Sequence, residues 1–340
     1  MKALMFKGLG NLRIEEAPDP RPAAGEVLVR VRAAGICGSD LHGYRTGAPG
    51  RIPPMIMGHE LAGDVAALGH GVSGLAVGDR VTVQPLIFCG ECPFCREGRT
   101  NLCDRKRMYG VRDLNGAMAE WIAVAARQVY RLPPGMSYVH GAMVEPLAVA
   151  YMAVQAAGAV RERQAMVVGT GPIGLLLLQV LRLSGAAGVV VADLNPARLE
   201  LARRLGASAA FNPARDDVAA AVRERTGGAG SDPTFEVVGA SAAVQLALAA
   251  TRKGGTCVWI GNAATMIEVN MKEIVVRELK VIGTYAYTHR AFGEALDFLG
   301  RRPVNLDALI TRVAPLEEGP DAFRELTEKP GDPIKTILTL

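Results

Sequence analysis

The sequence predicts an α/β protein in which a mainly β N-terminal part is followed by a doubly wound parallel sheet. Within about the first 150 residues, short apolar runs are broken by Gly and Pro, and 26–32 alternates apolar and polar residues as a half-buried strand does. After about Pro146, β-branched runs alternate with helical stretches, which is the pattern of βαβ units. A length of 340 residues agrees with two domains.

The second part of the chain has five short apolar runs that predict the strands of the parallel sheet: 165–168, 189–192, 235–238, 257–260 and 280–282. Between them, 175–181 is apolar nearly all round and predicts a helix that is buried on more than one side. The alternation weakens after Tyr285, where a helix over 290–299 and a final strand over 334–340 are predicted. Cys257, on an apolar run, is interpreted as a small buried hydrophobe.

One helix of this part can be predicted residue by residue. Asn195 is a good N-cap, Pro196 suits the first helical turn, and Gly206 suits the left-handed position after the last turn. Leu199, Ala202 and Leu205 then fall on one face, which we expect to pack on the sheet.

The composition is that of a globular protein and excludes several classes. The chain is 49% hydrophobic and 21% charged, with a net charge of +4. It has no block of basic residues that would indicate nucleic-acid binding, and no apolar run near the 18 or so residues of a membrane span. Because the N-terminus has no long apolar segment typical of a secretory signal, a cytoplasmic protein is expected.

A glycine motif lies directly after the first strand of the second part. Gly169, Gly171 and Gly174 form G-x-G-x-x-G together with Pro172 and Ile173 before an apolar helix. The first glycine permits a tight turn, the second lets the backbone approach a pyrophosphate, and the third lets helix and strand pack closely. The helix N-terminus then offers N–H groups to the phosphates, which predicts a dinucleotide site.

An acidic residue follows at the end of the next predicted strand. Asp193 lies 19 residues after Gly174, where a carboxylate can accept hydrogen bonds from the adenosine ribose. A 2′-phosphate would meet like charge there, so NAD is predicted over NADP. Arg198 could neutralise a 2′-phosphate, and this residue therefore favours NADP.

Four of the six cysteines are crowded into 15 residues. Cys89, Cys92, Cys95 and Cys103 can close a tetrahedron around Zn²⁺ and leave no open position, which predicts a structural zinc site. Disulfides are the first alternative, disfavoured because no secretory signal is seen. An iron–sulfur cluster is the second, because C-x2-C-x2-C also begins cluster motifs.

A second group of side chains offers the mixed ligands of a catalytic zinc site. Cys37, His59, Glu60 and Glu145 supply a thiolate, an imidazole and two carboxylates. Each residue alone is more often explained by packing or by a solvated surface. No spacing rule joins segments this far apart, so the residues by themselves do not assemble the site.

These motifs together resemble one family, the zinc-dependent medium-chain dehydrogenases/reductases (the zinc alcohol dehydrogenases), in the branch of sorbitol and related polyol dehydrogenases. The resemblance rests on 37–42, 58–60, the four-cysteine segment, 144–149 and 169–174, in the family's order along the chain. It implies a GroES-like β domain over 1–147 with a structural zinc lobe at about 88–104, a Rossmann NAD-binding domain over 148–285, and a return to the first domain over 286–340.

The resemblance also implies roles for individual residues. Cys37 and His59 would bind the catalytic zinc, with Glu60 and Glu145 as carboxylate ligands that exchange with water. Asp40 would orient His59, a contact that fixes the imidazole tautomer.

Further roles come from the same resemblance. Ser39 and His42 would carry the substrate proton out of the site, and Arg198 would lie along the adenosine with Asp193. The implied cofactors are NAD and two zinc ions per subunit.

The implied reaction is the oxidation of a secondary alcohol, of a polyol or sugar alcohol, to a ketone. Ala286 stands where the polyol branch commonly has an arginine, and Met152 where relatives often have histidine. Arg45 and Arg51 either meet an anionic substrate or are solvated. A sugar-phosphate or threonine-type amino-alcohol dehydrogenase is therefore an alternative, and a non-catalytic NAD-binding redox sensor is another of a different class.

The expected partner is a small-molecule alcohol, with no nucleic acid and no membrane. Family members form dimers and tetramers, so a homotetramer or homodimer is expected. The apolar segments over 259–274 could pair across a two-fold axis.

Overall fold

A computed structural model describes residues 1–47, 50–328 and 333–340 of the chain, which folds into two compact units. The first unit contains Met1–Glu145, Tyr287–Arg301 and Leu309–Leu340, and the second contains Pro146–Ala286 and Arg302–Ala308. These borders lie within two residues of the predicted 147/148 and 285/286. The C-terminal segment differs from the prediction, because 302–308 belongs to the second unit.

Hydrogen bonds explain why that short segment joins the second unit. The side chain of Gln179 accepts a hydrogen bond from the Asn305 backbone N at 2.7 Å and donates one to the Asn305 carbonyl at 3.3 Å. Gln179 is itself buried. A buried amide needs a partner for its oxygen and for its nitrogen. Asn305 supplies both, so the segment 302–308 is held against the helix that contains Gln179, Pro172–Leu183.

The first unit is mainly β, as predicted. Its strands are β1 (Lys2–Gly8), β2 (Asn11–Glu16), β3 (Glu26–Gly35), β4 (Met55–Ile56), β5 (Glu60–Leu68), β6 (Arg80–Val83), β7 (Leu86–Ile87), β8 (Arg107–Met108), β9 (Trp121–Ala125), β10 (Val129–Arg131), β17 (Ile310–Pro315) and β18 (Lys335–Thr339). Its helices are α1 (Gly38–Thr46), α2 (Pro93–Arg96), α3 (Tyr138–Ala142), α10 (His289–Arg301) and α11 (Gly319–Glu328), while α4 (Val144–Ala157) runs across the border after Glu145.

The largest sheet of this unit joins strands of the first 131 residues to the two C-terminal strands. Over the described residues its order is β10-β6-β5-β3-β18-β17, and β9 also pairs with β3. Strand β18 pairs antiparallel with β3, with Ile337 opposite Gly35. The C-terminal strand therefore lies beside the strand that leads into Cys37. On β3, the alternate residues Val27, Val29 and Val31 are buried, which is the predicted period of two.

The second unit is the predicted doubly wound domain. Its elements are β11 (Gln164–Val168), α5 (Pro172–Leu183), β12 (Gly188–Ala192), α6 (Pro196–Arg204), β13 (Ala209–Phe211), α7 (Val218–Arg225), β14 (Thr234–Glu236), α8 (Ser241–Ala250), β15 (Thr256–Trp259), α9 (Met271–Val276) and β16 (Lys280–Gly283). All its strand pairs are parallel in the order β13-β12-β11-β14-β15-β16, which is the dinucleotide-binding order 3-2-1-4-5-6.

The five predicted strands of this sheet are confirmed, and a sixth was not predicted. Strand β13 has the sequence Ala-Ala-Phe, whose first two residues carry no β-branched signal. The helix predicted after Asn195 is α6: the Asn195 Oδ1 accepts from the N–H groups of Ala197 at 2.9 Å and Arg198 at 3.2 Å. Gly206 has φ +93°, and Cys257 is fully buried as expected. No described helix is long and apolar enough to cross a membrane.

Candidate active site

The first unit brings a thiolate, an imidazole and a carboxylate together at one end of β3 and β5. Cys37 caps α1 just after β3, and His59 and Glu60 lie at the start of β5. The pairing of Gly35 with Glu60 aligns these strand ends. One ligand atom of each of Cys37, His59 and Glu60 lies within 4.8 Å of the others. This donor set and spacing fit a metal ion with mixed S, N and O ligands.

A glycine makes room for the carboxylate of this group. A Cβ added at Gly35 would lie 1.9 Å from Oε2 of Glu60, so a larger residue would displace the carboxylate. The requirement follows from the strand pairing, since Gly35 faces Glu60 directly. Gly35 therefore belongs to the local structure that sets the position of Glu60.

Asp40 contacts both Cys37 and His59, the two residues that the resemblance predicts as metal ligands. Its Oδ1 is 3.5 Å from Nδ1 of His59, and its Oδ2 accepts a hydrogen bond from the Cys37 N–H at 3.2 Å. Because Nδ1 of His59 faces Asp40, Nε2 is the ring nitrogen left for a metal. Burial by itself would raise the pKa of Asp40, but His59 and Arg51 outweigh it and lower the pKa to about 2.

Arg51 corrects a sequence interpretation. The sequence allows it to contact an anionic substrate or to be solvated, but it is 4% exposed and its Nη2 donates to Oδ1 of Asp40 at 2.8 Å. The sequence could not reveal this pair because no spacing rule relates an aspartate in the first turn of a helix to an arginine 11 positions later. Arg45, by contrast, is exposed on α1.

Glu60 has a second buried partner that sequence reasoning missed. The Nζ of Lys335 donates to Oε1 of Glu60 at 2.6 Å and to the carbonyl of Ile36 at 3.0 Å. Lys335 is 3% exposed, and although burial lowers the pKa of its ammonium group, Glu60 outweighs it and raises the pKa. The available signal was a charged lysine at the start of a final strand that is buried over most of its length.

Glu145 lies outside the converging group, which among the described residues consists of Cys37, His59 and Glu60. Its Oε1 accepts a hydrogen bond from the hydroxyl of Tyr287 at 2.6 Å. Both side chains are buried, and burial raises the pKa of Glu145 to about 7. Its role as a zinc ligand stays a prediction. Tyr287 was missed, although the residue before it, Ala286, was singled out.

The other residues assigned from the resemblance lie on α1, on α4 or after β16. Ser39 and His42 are exposed on α1. Met152 is half-buried on α4, and Ala286 has φ +50°, a conformation that costs strain for a residue with a Cβ. The roles of Ser39 and His42 in proton transfer stay predictions.

The four cysteines predicted as a closed site do converge. One ligand atom of each of Cys89, Cys92, Cys95 and Cys103 lies within 4.8 Å of the others, and all are free cysteines. The Sγ atoms of Cys89 and Cys95 are 3.9 Å apart, far beyond a disulfide bond. Backbone N–H groups, that of Glu91 foremost, lower the pKa of Cys89 to about 6, so that its thiolate is favoured. Such a set fits a tetrahedral metal ion without an open position.

In the second unit, the glycine motif forms the turn from β11 into α5. Gly169 has φ +98°, and a Cβ at Gly174 would lie 1.9 Å from the carbonyl oxygen of Gly169. At Gly171 the nearest atom to an added Cβ is Nη1 of Arg198, 4.0 Å away. The first and third glycines are thus required by the fold, whereas the second leaves an open place above the helix N-terminus. This cradle fits a pyrophosphate.

Asp193 and Arg198 border this cradle. The carboxylate of Asp193 accepts hydrogen bonds from the N–H of Thr170 at 2.6 Å and from the N–H of Asn195 at 2.8 Å. These bonds fix the carboxylate beside the first turn of the motif. Among the described residues, the buried Nε of Arg198 has no hydrogen-bond partner, which leaves it a donor for a ligand.

Comparison with known proteins agrees with this geometry. Residues 23–134 match the model of the alcohol dehydrogenase GroES-like domain, and residues 172–301 match that of the zinc-binding dehydrogenases. The chain is 33% identical to sorbitol dehydrogenase of Bacillus subtilis, over 99% of this chain and 97% of that protein. It belongs to the zinc-dependent medium-chain dehydrogenase/reductase family.

The relatives that match over the full chain include sorbitol dehydrogenase of Gallus gallus, at 35% identity over 99% of this chain and 95% of that protein, which places the chain in the polyol branch. It is similar to the structure of the alcohol dehydrogenase TADH from Thermus sp. ATN1, with a TM-score of 0.94 and 32% identity over 100% of this chain and 99% of that one. The structure of galactitol-1-phosphate dehydrogenase from Escherichia coli also has a TM-score of 0.94, with 28% identity over the whole of both chains. The predicted family, fold class and enzyme type are confirmed.

Proposed function

We propose that the protein oxidises a secondary alcohol of a small polyol to a ketone, with NAD⁺ as the second substrate. The observation that carries this proposal is the convergence of Cys37, His59 and Glu60 into an S, N and O ligand set. Metal sites of this kind are catalytic because they leave a position for substrate. A zinc ion bound there supplies a Lewis acid that favours loss of the substrate's hydroxyl proton, and NAD⁺ bound at the glycine cradle supplies a hydride acceptor.

In this proposal, the protein's own residues position the reactants and remove the proton. Ser39 and His42 are exposed on the first two turns of α1, immediately after Cys37, and carry the proton from the substrate hydroxyl to solvent. Asp40 holds His59 in one orientation. Glu145, whose Oε1 accepts a hydrogen bond from the buried hydroxyl of Tyr287, is the further carboxylate that would exchange with water at the metal.

The cofactor choice rests on the carboxylate of Asp193 beside the cradle. A 2′-phosphate at this place would meet its charge, so we expect NAD⁺ to be preferred, with Arg198 contacting the adenosine moiety. Comparison of kcat/KM for NAD⁺ and NADP⁺ tests this, and a preference for NADP⁺ would contradict it.

A second candidate is the oxidation of a phosphorylated polyol. It is favoured by the full-length similarity to galactitol-1-phosphate dehydrogenase, and Ala286 leaves the chain without the arginine that polyol dehydrogenases commonly place there. The four-cysteine site is proposed to hold structural zinc in either case. We also propose a cytoplasmic homodimer or homotetramer.

The experiment is the appearance of NADH over a panel of polyols, polyol phosphates, vicinal diols and threonine. Substitution His59→Ala should abolish turnover and leave NAD⁺ binding unchanged, because His59 and the cradle belong to different units. In the matched control, Cys92→Ser should lower thermal stability, and this loss of stability, not a loss of the catalytic site, is its primary effect. Normal turnover by the His59→Ala variant would rule out the proposed mechanism.

A further inference from the structure

Arg51 is buried in the first unit although it carries a permanent charge. Its side chain is 2% exposed. A Cβ added at Gly43 would lie 2.4 Å from Cγ of Arg51, so glycine at 43 provides the space through which the arginine side chain passes. Arginine is almost never fully buried unless it is paired. The cost of burying it implies a specific partner.

That partner is Asp40, which is fully buried and contacts two of the predicted metal ligands. The Nη2 of Arg51 donates to Oδ1 of Asp40 at 2.8 Å, and the same oxygen lies 3.5 Å from Nδ1 of His59. The other carboxylate oxygen accepts from the Cys37 N–H. Arg51, Asp40 and His59 therefore form one continuous chain of polar contacts that ends at the metal ligands.

The carboxylate of Asp40 needs a partner whose charge does not depend on the metal. A histidine that ligates a metal through Nε2 is neutral, so a metal-bound His59 offers Asp40 an N–H group but no counter-charge. A buried carboxylate without a counter-charge is strongly destabilising. Arg51 is in direct contact with the carboxylate, and a guanidinium cannot lose its proton. It therefore supplies a lasting counter-charge for Asp40.

We propose that Arg51 is a positioning residue that orients Asp40 and balances its charge, so that His59 keeps its proton on Nδ1 and binds the metal through Nε2. The proposal rests on the catalytic metal site proposed above. Arg51 acts through Asp40 and does not touch substrate. Its predicted effect is on the metal affinity of the Cys37 and His59 site, while the four-cysteine site is unaffected.

The test is zinc release from the full-length holoenzyme to a competing chelator, with the two zinc ions followed separately. A Cys37→Ala variant identifies the signal of the catalytic site. We expect Arg51→Met to weaken zinc binding at this site by about 10- to 100-fold, the range found when the partner of a ligating histidine is removed. Arg51→Lys, which restores a point charge, should recover part of the affinity. The structural zinc should be retained in both.

Two further variants separate this role from a general structural one. Arg32→Met breaks an arginine–aspartate pair elsewhere in the same unit, where Nε of Arg32 lies 2.7 Å from Asp64, and should leave zinc affinity unchanged. In an Asp40→Asn background, Arg51→Met should have little further effect, because the residue through which it acts no longer carries the charge. This double variant buries no unpaired charge, so it keeps the test possible if Arg51→Met alone does not fold.

The outcomes are distinguishable. Wild-type zinc affinity in a folded Arg51→Met variant overturns the proposal, as does an equal loss of affinity in the Asp40→Asn background. If the wild-type chain binds no zinc that Cys37→Ala removes, the proposed function itself fails, and this inference fails with it.

Discussion

Tyr287 is the residue that fixes the carboxylate of Glu145. The tyrosine is fully buried and its hydroxyl donates to Oε1 of Glu145 at 2.6 Å, a contact that spans 142 positions of sequence. A hydrogen bond to a charged group contributes about 1.5–3 kcal/mol, and a buried acceptor that loses its donor is costly. The position of Glu145 therefore depends on a residue that follows Ala286.

Substitution Tyr287→Phe is expected to lower kcat about ten- to a hundredfold, because it leaves Oε1 of Glu145 without this donor while the ring is kept. Steady-state kinetics measures the change, and NAD⁺ binding, which belongs to the second unit, is the control. An unchanged kcat would show that the orientation of Glu145 does not matter for turnover.

Glu236 is a buried acid of the second unit that the mechanism does not use. Its side chain is fully buried at the end of β14, and Oε1 accepts from the N–H groups of Val238 at 2.7 Å and Gly239 at 2.8 Å. Burial raises its pKa. In the unfolded chain the carboxyl ionises near its ordinary pKa of about 4.3, while in the folded state it keeps its proton to higher pH.

The folded state is therefore destabilised by Glu236 as the pH rises from about 4.3 through the raised pKa, because ionisation then favours the unfolded chain. We expect Glu236→Gln, which keeps the Oε1 acceptor, to remove this dependence. Paired melting curves should differ little at pH 4.5 and show the variant gaining stability toward neutral pH. A difference that does not change with pH would contradict the assignment.

In the turn between β11 and α5, one glycine is needed for folding and another is needed for cofactor binding. Gly174 is required by packing, since a Cβ there would lie 1.9 Å from the carbonyl oxygen of Gly169. Gly171 meets only the end of the Arg198 side chain, at 4.0 Å, so a methyl group fits the chain without a cofactor. Alanine substitutions at Gly171 and Gly174 can therefore be compared directly, because both glycines belong to one motif.

Substitution Gly171→Ala is expected to weaken NAD⁺ binding at least tenfold with little change in melting temperature, because its methyl group occupies the place left for the pyrophosphate. Gly174→Ala should instead lower the melting temperature, since backbone must move. Calorimetric titration with NAD⁺ and thermal melting measure the two effects. Strong NAD⁺ binding by Gly171→Ala would show that the pyrophosphate does not lie at this turn.

At the scale of the whole molecule, the edge of the parallel sheet is the proposed contact between subunits. Strand β16 is the last in the sheet order, and the nearby side chains of Met266, Met271, Val275 and Val276 are 64–86% exposed. An edge strand with apolar neighbours can pair with its own copy across a two-fold axis. We propose that a second copy of the chain covers this apolar edge.

Substitution Val275→Glu should reduce the mass of the assembly, because it places a charge in the proposed contact. Size-exclusion chromatography with light scattering measures the mass. Val77→Glu, at a comparably exposed residue of the first unit, is the control and should keep the wild-type mass. A monomeric wild type, or an unchanged mass for Val275→Glu, would contradict the proposed interface.

The residues alone predict the two-domain α/β architecture, five of the six parallel strands, the cofactor cradle and the four-cysteine site. These features are local: periodicity and caps act over one or two turns, Gly169–Gly174 occupy a single turn, and the four cysteines lie within 15 residues. Their physical chemistry depends on neighbours along the chain. The same holds for α6, whose cap and buried face were predicted from 195–206 alone.

Contacts between residues that are distant in sequence became visible only in the folded chain. Glu60 contacts Lys335 across 275 positions and Glu145 contacts Tyr287 across 142, and neither pair has a spacing rule. Arg51 is buried and donates to Asp40, whereas the sequence alone allows it to be solvated. Sequence patterns indicate which residues a strand or helix buries. Only the packing of those elements determines which buried charges lie opposite one another.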